Sequence, residues 1–288
     1  MDLPCVLQLI ERRELRVALQ PIVHIHDGSL LAHEVLVRST SPDFRTPREM
    51  FEAAVLSGHC GRLGRAIREI AVQTAPTFAL FLNVHPNELH DGLLAEDDDP
   101  IYRHPRDVFL EITESVPLSH FQLCQEVLRK IRERGIHLVI DDLGAGYSNL
   151  RYIADLHPRL VKLDRALVTG LSRKPRMQSL VASIVSLCEN LGAEVVAEGI
   201  KTLDELLAAR DAGVHYAQGY LMARPSMPPP EARWPLPSDA PGAPPSGPMP
   251  VRIPTAERQV RISHVEDLKT EPGSEADQGA DDKRAAEE

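Results

Sequence analysis

A chain of 288 residues can hold one large domain or two small ones with a sizeable core. Its 42 acidic residues against 32 basic ones, a formal net charge of −10, argue against binding to a nucleic-acid polymer or to an anionic membrane. Cys5, Cys60, Cys124 and Cys188 lack metal-ligand spacing, and neither a basic-then-apolar leader nor a membrane-length apolar run is present, so a cytoplasmic protein with reduced thiols is expected.

An amphipathic stretch from Val6 to Leu19 leads into a strand, Val17 to Val23. His26-Asp27-Gly28-Ser29 reads as a hairpin turn and Leu30 to Arg38 as the return strand. A loop and a long helical zone, Arg48 to Thr74, follow, with a break expected near Gly58 and Gly61. Strand-like runs then alternate with helical ones. The strands are Ala79–Val84, Val108–Thr113, Leu138–Ile140, Leu160–Asp164, Glu194–Gly199 and Tyr216–Leu221. Helices are predicted near Ser119–Arg134, Leu150–Ala154, Arg176–Leu191 and Leu203–Asp211, the last capped by Thr202. This α/β pattern fits a (β/α)₈ barrel better than an open sheet, with the opening hairpin forcing one strand to run against the other seven.

Beyond Arg224 prolines crowd Pro225 to Pro254, and Thr255 to Glu288 is polar and acidic. Residues 1–224 are therefore expected to be the folded domain and 225–288 a disordered tail of unknown partner. Asp97-Asp98-Asp99 reads as a solvated loop, and His24, His26 and His33 as packed or surface histidines.

The chemistry gathers where strands end. Asp141 and Asp142 close one apolar run, and Gly144 and Gly146 permit the turn that both acids need to serve one site. Adjacent carboxylates raise each other's pKa unless a cation intervenes. The late polar residues of the other strands are Glu34, Asn83, Glu111, Lys162, Glu198 and Gln218, each following apolar residues. At the carboxyl mouth of a parallel barrel these would converge on a hard cation, Mg²⁺ or Mn²⁺. Five carboxylates exceed the needs of one ion, so a two-metal site activating water against a phosphodiester is expected, with Lys162 beside the developing charge.

These motifs resemble the EAL domain family of bacterial cyclic di-GMP phosphodiesterases over residues 5–225. The signature stands as Glu34-Val35-Leu36 with Arg38. With it come Gln20-Pro21-Ile22-Val23, Leu82-Asn83-Val84, Leu110 to Ser115, Asp141 to Ser148, Lys162-Leu163-Asp164, Ala197-Glu198-Gly199 and Gln218 to Leu221. The resemblance implies hydrolysis of cyclic di-GMP to linear pGpG. It implies one metal on Glu34, Asn83, Glu111 and Asp141, the second bridged by Asp141 with Asp142 beside it. Glu198 becomes the general base or a second-metal ligand, while Lys162 and Gln218 orient water and phosphate. Gln20 and Arg38 become substrate contacts. Glu114, Gly144, Gly146, Tyr147 and Ser148 become the segment coupling substrate and dimer contacts to the metals, with homodimer formation left open.

Val35 replaces the family's usual alanine, Leu143 and Ala145 replace a phenylalanine and a threonine, and Lys201 replaces a glutamate. The Lys201 charge reversal, within one turn of Glu198, is expected to lower turnover, metal affinity or both. The alternative is a weak or inactive domain serving as a cyclic di-GMP receptor or interaction scaffold.

Overall fold

The turn between His24 and Ser29 sets the one irregularity of the architecture. Asp27 Oδ1 accepts from the Ser29 backbone N–H at 2.9 Å and from its hydroxyl at 2.7 Å, and Gly28 adopts φ 73°. Strands joined so tightly must be antiparallel. The computed structural model of the chain describes residues 6–113, 118–144 and 151–236. In it the hairpin pairs β1 (Leu15–His24) with β2 (Leu30–Ser39).

The remaining strands follow in chain order: β3 (Leu80–Asn83), β4 (Val108–Thr113), β5 (His137–Leu143), β6 (Leu160–Leu163), β7 (Glu194–Ala197) and β8 (Tyr216–Ala217). They close a barrel in sequence order, β1 running antiparallel to both its neighbours and every other pair parallel. The expected barrel with one reversed strand is therefore present.

The period of two along each strand explains both the core and the site. Ile22, Ala32, Phe81, Phe109, Val139, Leu160, Val196 and Tyr216, one from each strand, form a separate buried cluster that fills the barrel interior. Phe81 and Phe109 stack there with ring centroids 4.4 Å apart. Two residues further toward the strands' carboxyl mouth stand Gln20, Glu34, Asn83, Glu111, Asp141, Lys162, Glu198 and Gln218. For β1, which runs the other way, two further means two earlier in sequence. Each of these eight polar residues is thus the next inward position above an apolar one.

Helices cover the outer face: α1 (Val6–Glu11), α2 (Pro47–Ser57), α3 (Cys60–Thr74), α4 (Pro86–Asp91), α5 (Leu118–Glu133), α6 (Arg151–Leu156), α7 (Arg165–Val168), α8 (Pro175–Asn190) and α9 (Leu203–Asp211). Capping boxes start three of them: Thr46 with Glu49 on α2, His85 with Glu88 on α4 and Thr202 with Glu205 on α9. The long helical zone breaks at Gly58, in the left-handed conformation at φ 70°, and resumes at Cys60. Two short helices, α4 and α7, do not stand out in the sequence because six and four residues are too few to show a period. The last strand is shorter than expected, its ladder ending at Ala217.

The packed chain continues past Arg224. Leu19 and Ser226 exchange backbone hydrogen bonds at 3.0 and 3.1 Å, and the Arg233 N–H donates to the Met222 carbonyl at 3.0 Å. The Trp234 ring then lies against Gly28 and the core. The twelve described residues 225–236 thus lie on the barrel, and the rest of the expected tail falls outside the described residues. Ending the chain at Arg224 removes this strip. The truncated chain is expected to lose about 2–3 kcal/mol and to melt about 4–12 °C lower by calorimetry; an unchanged melting temperature would make 225–236 dispensable. Among the described residues no helix is long and apolar enough to cross a membrane.

Candidate active site

At the carboxyl mouth the barrel opens into a cleft of about 280 Å³ lined by Gln20, Glu34, Asp141, Asp142, Arg165, Glu198, Gly199, Lys201, Gln218, Gly219 and Tyr220. Beneath it sit Glu111 and Lys162, each about 1% exposed. The Lys162 ammonium is the hub. Its Nζ lies 2.6 Å from Glu111 Oε1, 3.3 Å from Asp141 Oδ1 and 3.7 Å from Glu34 Oε1, and it contacts Glu198 Oε1. A buried ammonium without partners would lose its proton; here surrounding carboxylates outweigh desolvation and hold the Lys162 pKa well above its ordinary value.

The carboxylates bear the opposite strain. Burial, only partly offset by Lys162, pushes Glu111 well above the usual range and Glu198 up to about 8. In each case neighbouring acids raise it further, Glu34 and Asp141 among them. Burial thus disfavours charged carboxylates here, and a divalent cation would favour them.

Amides tie the first strands to this hub. Gln218 Nε2 donates to Glu34 Oε2 at 2.5 Å and to Gln20 Oε1 at 3.3 Å, and Gln20 Nε2 donates to the Ala223 carbonyl at 3.1 Å. Asn83 Nδ2 reaches Glu34 Oε1 at 3.4 Å. Glu34 is thus held by two amides and an ammonium before any ligand arrives.

The turn that the paired aspartates require is present. Asp142 adopts φ 59° and Gly144 φ 103°, and the β5–β6 register shifts between Ile140 and Leu143. That irregularity turns Asp142 toward the same side as Asp141, so that oxygens of Asp141, Asp142 and Glu198 lie within 4.8 Å of one another. Glu111 Oε2 is buried without a hydrogen bond, while Glu111 Oε1 and Asp141 Oδ1 have the Lys162 ammonium at 2.6 and 3.3 Å. An all-oxygen donor set with an orphaned buried acceptor fits a hard divalent cation, and the cluster can hold a metal ion.

Not every expected residue joins the cleft. Arg38 is exposed farther along β2, bonded to the Val37 carbonyl at 2.8 Å, and does not line it. Glu114, Gly146, Tyr147 and Ser148 lie outside the described residues. His33 packs edge-on against Phe78 with centroids 4.7 Å apart, and His24 against Tyr216 at 4.6 Å, as packed histidines should. Arg165 and Tyr220 do line the cleft without having been singled out. Arg165 follows Lys162-Leu163-Asp164 directly, so its place just past a strand's carboxyl end was the available signal.

Comparison with known proteins agrees with this geometry. A family profile described as EAL domain matches residues 6–225. The cyclic di-GMP phosphodiesterase RocR of Pseudomonas aeruginosa is 30% identical over 78% of this chain and 61% of its own length. A second cyclic di-GMP phosphodiesterase of that organism is 32% identical over 73% of this chain and 38% of its own. The chain thus spans less than two thirds of these relatives. Among solved structures, PaMucR phosphodiesterase in a c-di-GMP complex superposes with a TM-score of 0.68 at 26% identity, covering 77% of this chain and 95% of that one. A manganese/cy-diGMP complex of Klebsiella pneumoniae BlrP1 gives 0.65 at 31% identity, covering 74% and 56%. By the profile match across most of its length, the chain belongs to the EAL domain family.

Proposed function

We propose that the chain hydrolyses cyclic di-GMP to linear pGpG in bacterial second-messenger signalling, with Mg²⁺ or Mn²⁺ as cofactor. The observation that carries this is the acidic layer at the barrel mouth, where Asp141, Asp142 and Glu198 gather around one point beside Glu34 and Glu111. Glu34, Asn83, Glu111, Asp141 and Asp142 are assigned as metal ligands. A bound pair of hard cations would polarise the phosphodiester and acidify the attacking water.

The remaining work falls to the chain. Glu198 takes the proton from the water, the role assigned to it by its place beside Asp141 and Asp142 at the barrel mouth. Lys162, always charged in this setting, offsets charge that builds on the phosphate oxygens. Gln218 fixes Glu34 through its 2.5 Å hydrogen bond and links it to Gln20 at the cleft wall. Gln20 is assigned to the substrate, and Arg38 to it only if a large ligand extends along β2.

The test incubates the full chain with cyclic di-GMP and Mn²⁺ and follows pGpG by chromatography. Product that disappears on chelation supports the proposal. Tight binding without product would instead identify a receptor, and neither binding nor product a scaffold.

A further inference from the structure

Lys201 and Arg165 stand on the rim of a cleft whose floor is crowded with carboxylates, and neither side chain has an acidic partner among the described residues. Surface cations near so many acids would ordinarily swing to meet them. The backbone that carries these two cations is tied down. Glu205, 7% exposed, accepts from the Lys201 N–H at 2.9 Å through Oε2 and from the Gly170 N–H at 2.9 Å through Oε1. One carboxylate therefore clamps the backbone at Lys201 to the turn that follows α7, the helix that Arg165 opens.

Gly199 completes the platform. It adopts φ 68°, and a Cβ there would meet Arg165 Cδ at 2.8 Å and its Cβ at 3.0 Å. The stem of Arg165 thus crosses the space left by the missing side chain and lies along the segment from Glu198 to Lys201. Two cations thus line the same opening as Glu34, Asp141, Asp142 and Glu198.

We propose that Lys201 and Arg165 form a phosphate-binding rim that holds the second phosphate of a cyclic dinucleotide, the one not being cleaved. The inference rests on the proposed dinucleotide substrate. A molecule with two phosphates presents one to the metal centre and keeps another several ångströms away, over a surface that would repel it without added cations. Guanidinium and ammonium groups are the side chains suited to take it. The charge reversal at position 201 then acts on substrate affinity at the rim and leaves the metal ligands untouched.

The test uses the full chain with Ca²⁺, which suits the oxygen donors, and measures binding of cyclic di-GMP and of 5′-GMP by calorimetry. Lys201→Ala and Arg165→Ala are each expected to weaken cyclic di-GMP by about tenfold, and GMP, with its single phosphate at the metals, by less than about twofold. Lys201→Arg is expected to restore most of the loss, and the difference between the two ligands to shrink at about 1 M salt. Equal losses on both ligands, or none on either, overturn the rim while leaving the phosphodiesterase proposal standing. Wild-type protein that binds no cyclic di-GMP overturns both.

Discussion

Replacing Glu198 by glutamine is expected to lower pGpG formation by about 10²–10⁴-fold, the usual contribution of a positioned general base. The substitution keeps size and shape but removes the group's capacity to accept a proton from the attacking water. Its position argues that little else changes. Glu198 lies one residue past the end of β7, and its Oε1 contacts Lys162, which keeps Glu111, Asp141 and Glu34 as further partners. The backbone on either side is fixed by the hydrogen bond from the Glu198 N–H to Leu163 and by that from Ile200 to Gln218. The melting temperature should therefore stay within about 2 °C, since the pair lost is one of several around the ammonium. Steady-state rates with Mn²⁺, set beside the affinity of the same variant for cyclic di-GMP, separate the two effects: binding retained and turnover lost. A variant that hydrolyses at the wild-type rate removes Glu198 from the mechanism.

The barrel and its acidic layer were legible because each rests on a period of two that survives in a single sequence. Phe109 then Glu111, Val139 then Asp141, Leu160 then Lys162 and Val196 then Glu198 repeat one pattern of apolar residue, spacer and polar residue. A closed barrel turns that repeat into one layer. The turn at Asp142 was also foreseeable, since adjacent acids on a strand must face opposite ways unless the backbone twists, and φ 59° is that twist. Arg38 stands outside the cleft for a related reason. Proximity to a motif in sequence says nothing of depth, and four residues beyond Glu34 the strand has already left the cleft. Lys201 was located only by three-dimensional structure, because its backbone is set by a carboxylate at the start of α9.

The triple aspartate run exposes the opposite limit, and here a second large effect is expected: Arg68→Met should cost about 3–5 kcal/mol, the range for stranding buried charges. That corresponds to a melting temperature about 6–20 °C lower. Asp97 to Asp99 reads as a solvated loop, yet Asp99 is fully buried. Its Oδ2 lies 2.8 Å from Arg68 Nη2, while Arg68 Nη1 reaches Glu88 Oε2 at 2.6 Å. No pattern in the sequence connects α3 with residues 20 and 31 positions away, so the network could not be read from it. Glu88 can approach α3 this closely because Gly64 offers no side chain in its path. Each acid also does local work: Glu88 Oε1 accepts from the His85 N–H at 2.9 Å to start α4, and Asp99 Oδ1 accepts from the Ile101 N–H at 3.2 Å. Burial lifts the Glu88 carboxyl even with the arginine beside it, so removing the guanidinium leaves two acids to take up protons or water. If stranded charge is the cause, neutralising the partners in an Arg68→Met/Glu88→Gln/Asp99→Asn protein should recover part of the loss, because both amides keep an oxygen for the backbone donors. Calorimetry of the single and triple variants decides it. A triple variant less stable than Arg68→Met would assign the cost to packing instead. Since α4 follows directly on the segment that carries Asn83, the same lesion is expected to loosen the 3.4 Å contact to Glu34 and so couple a stability defect to the mouth of the barrel.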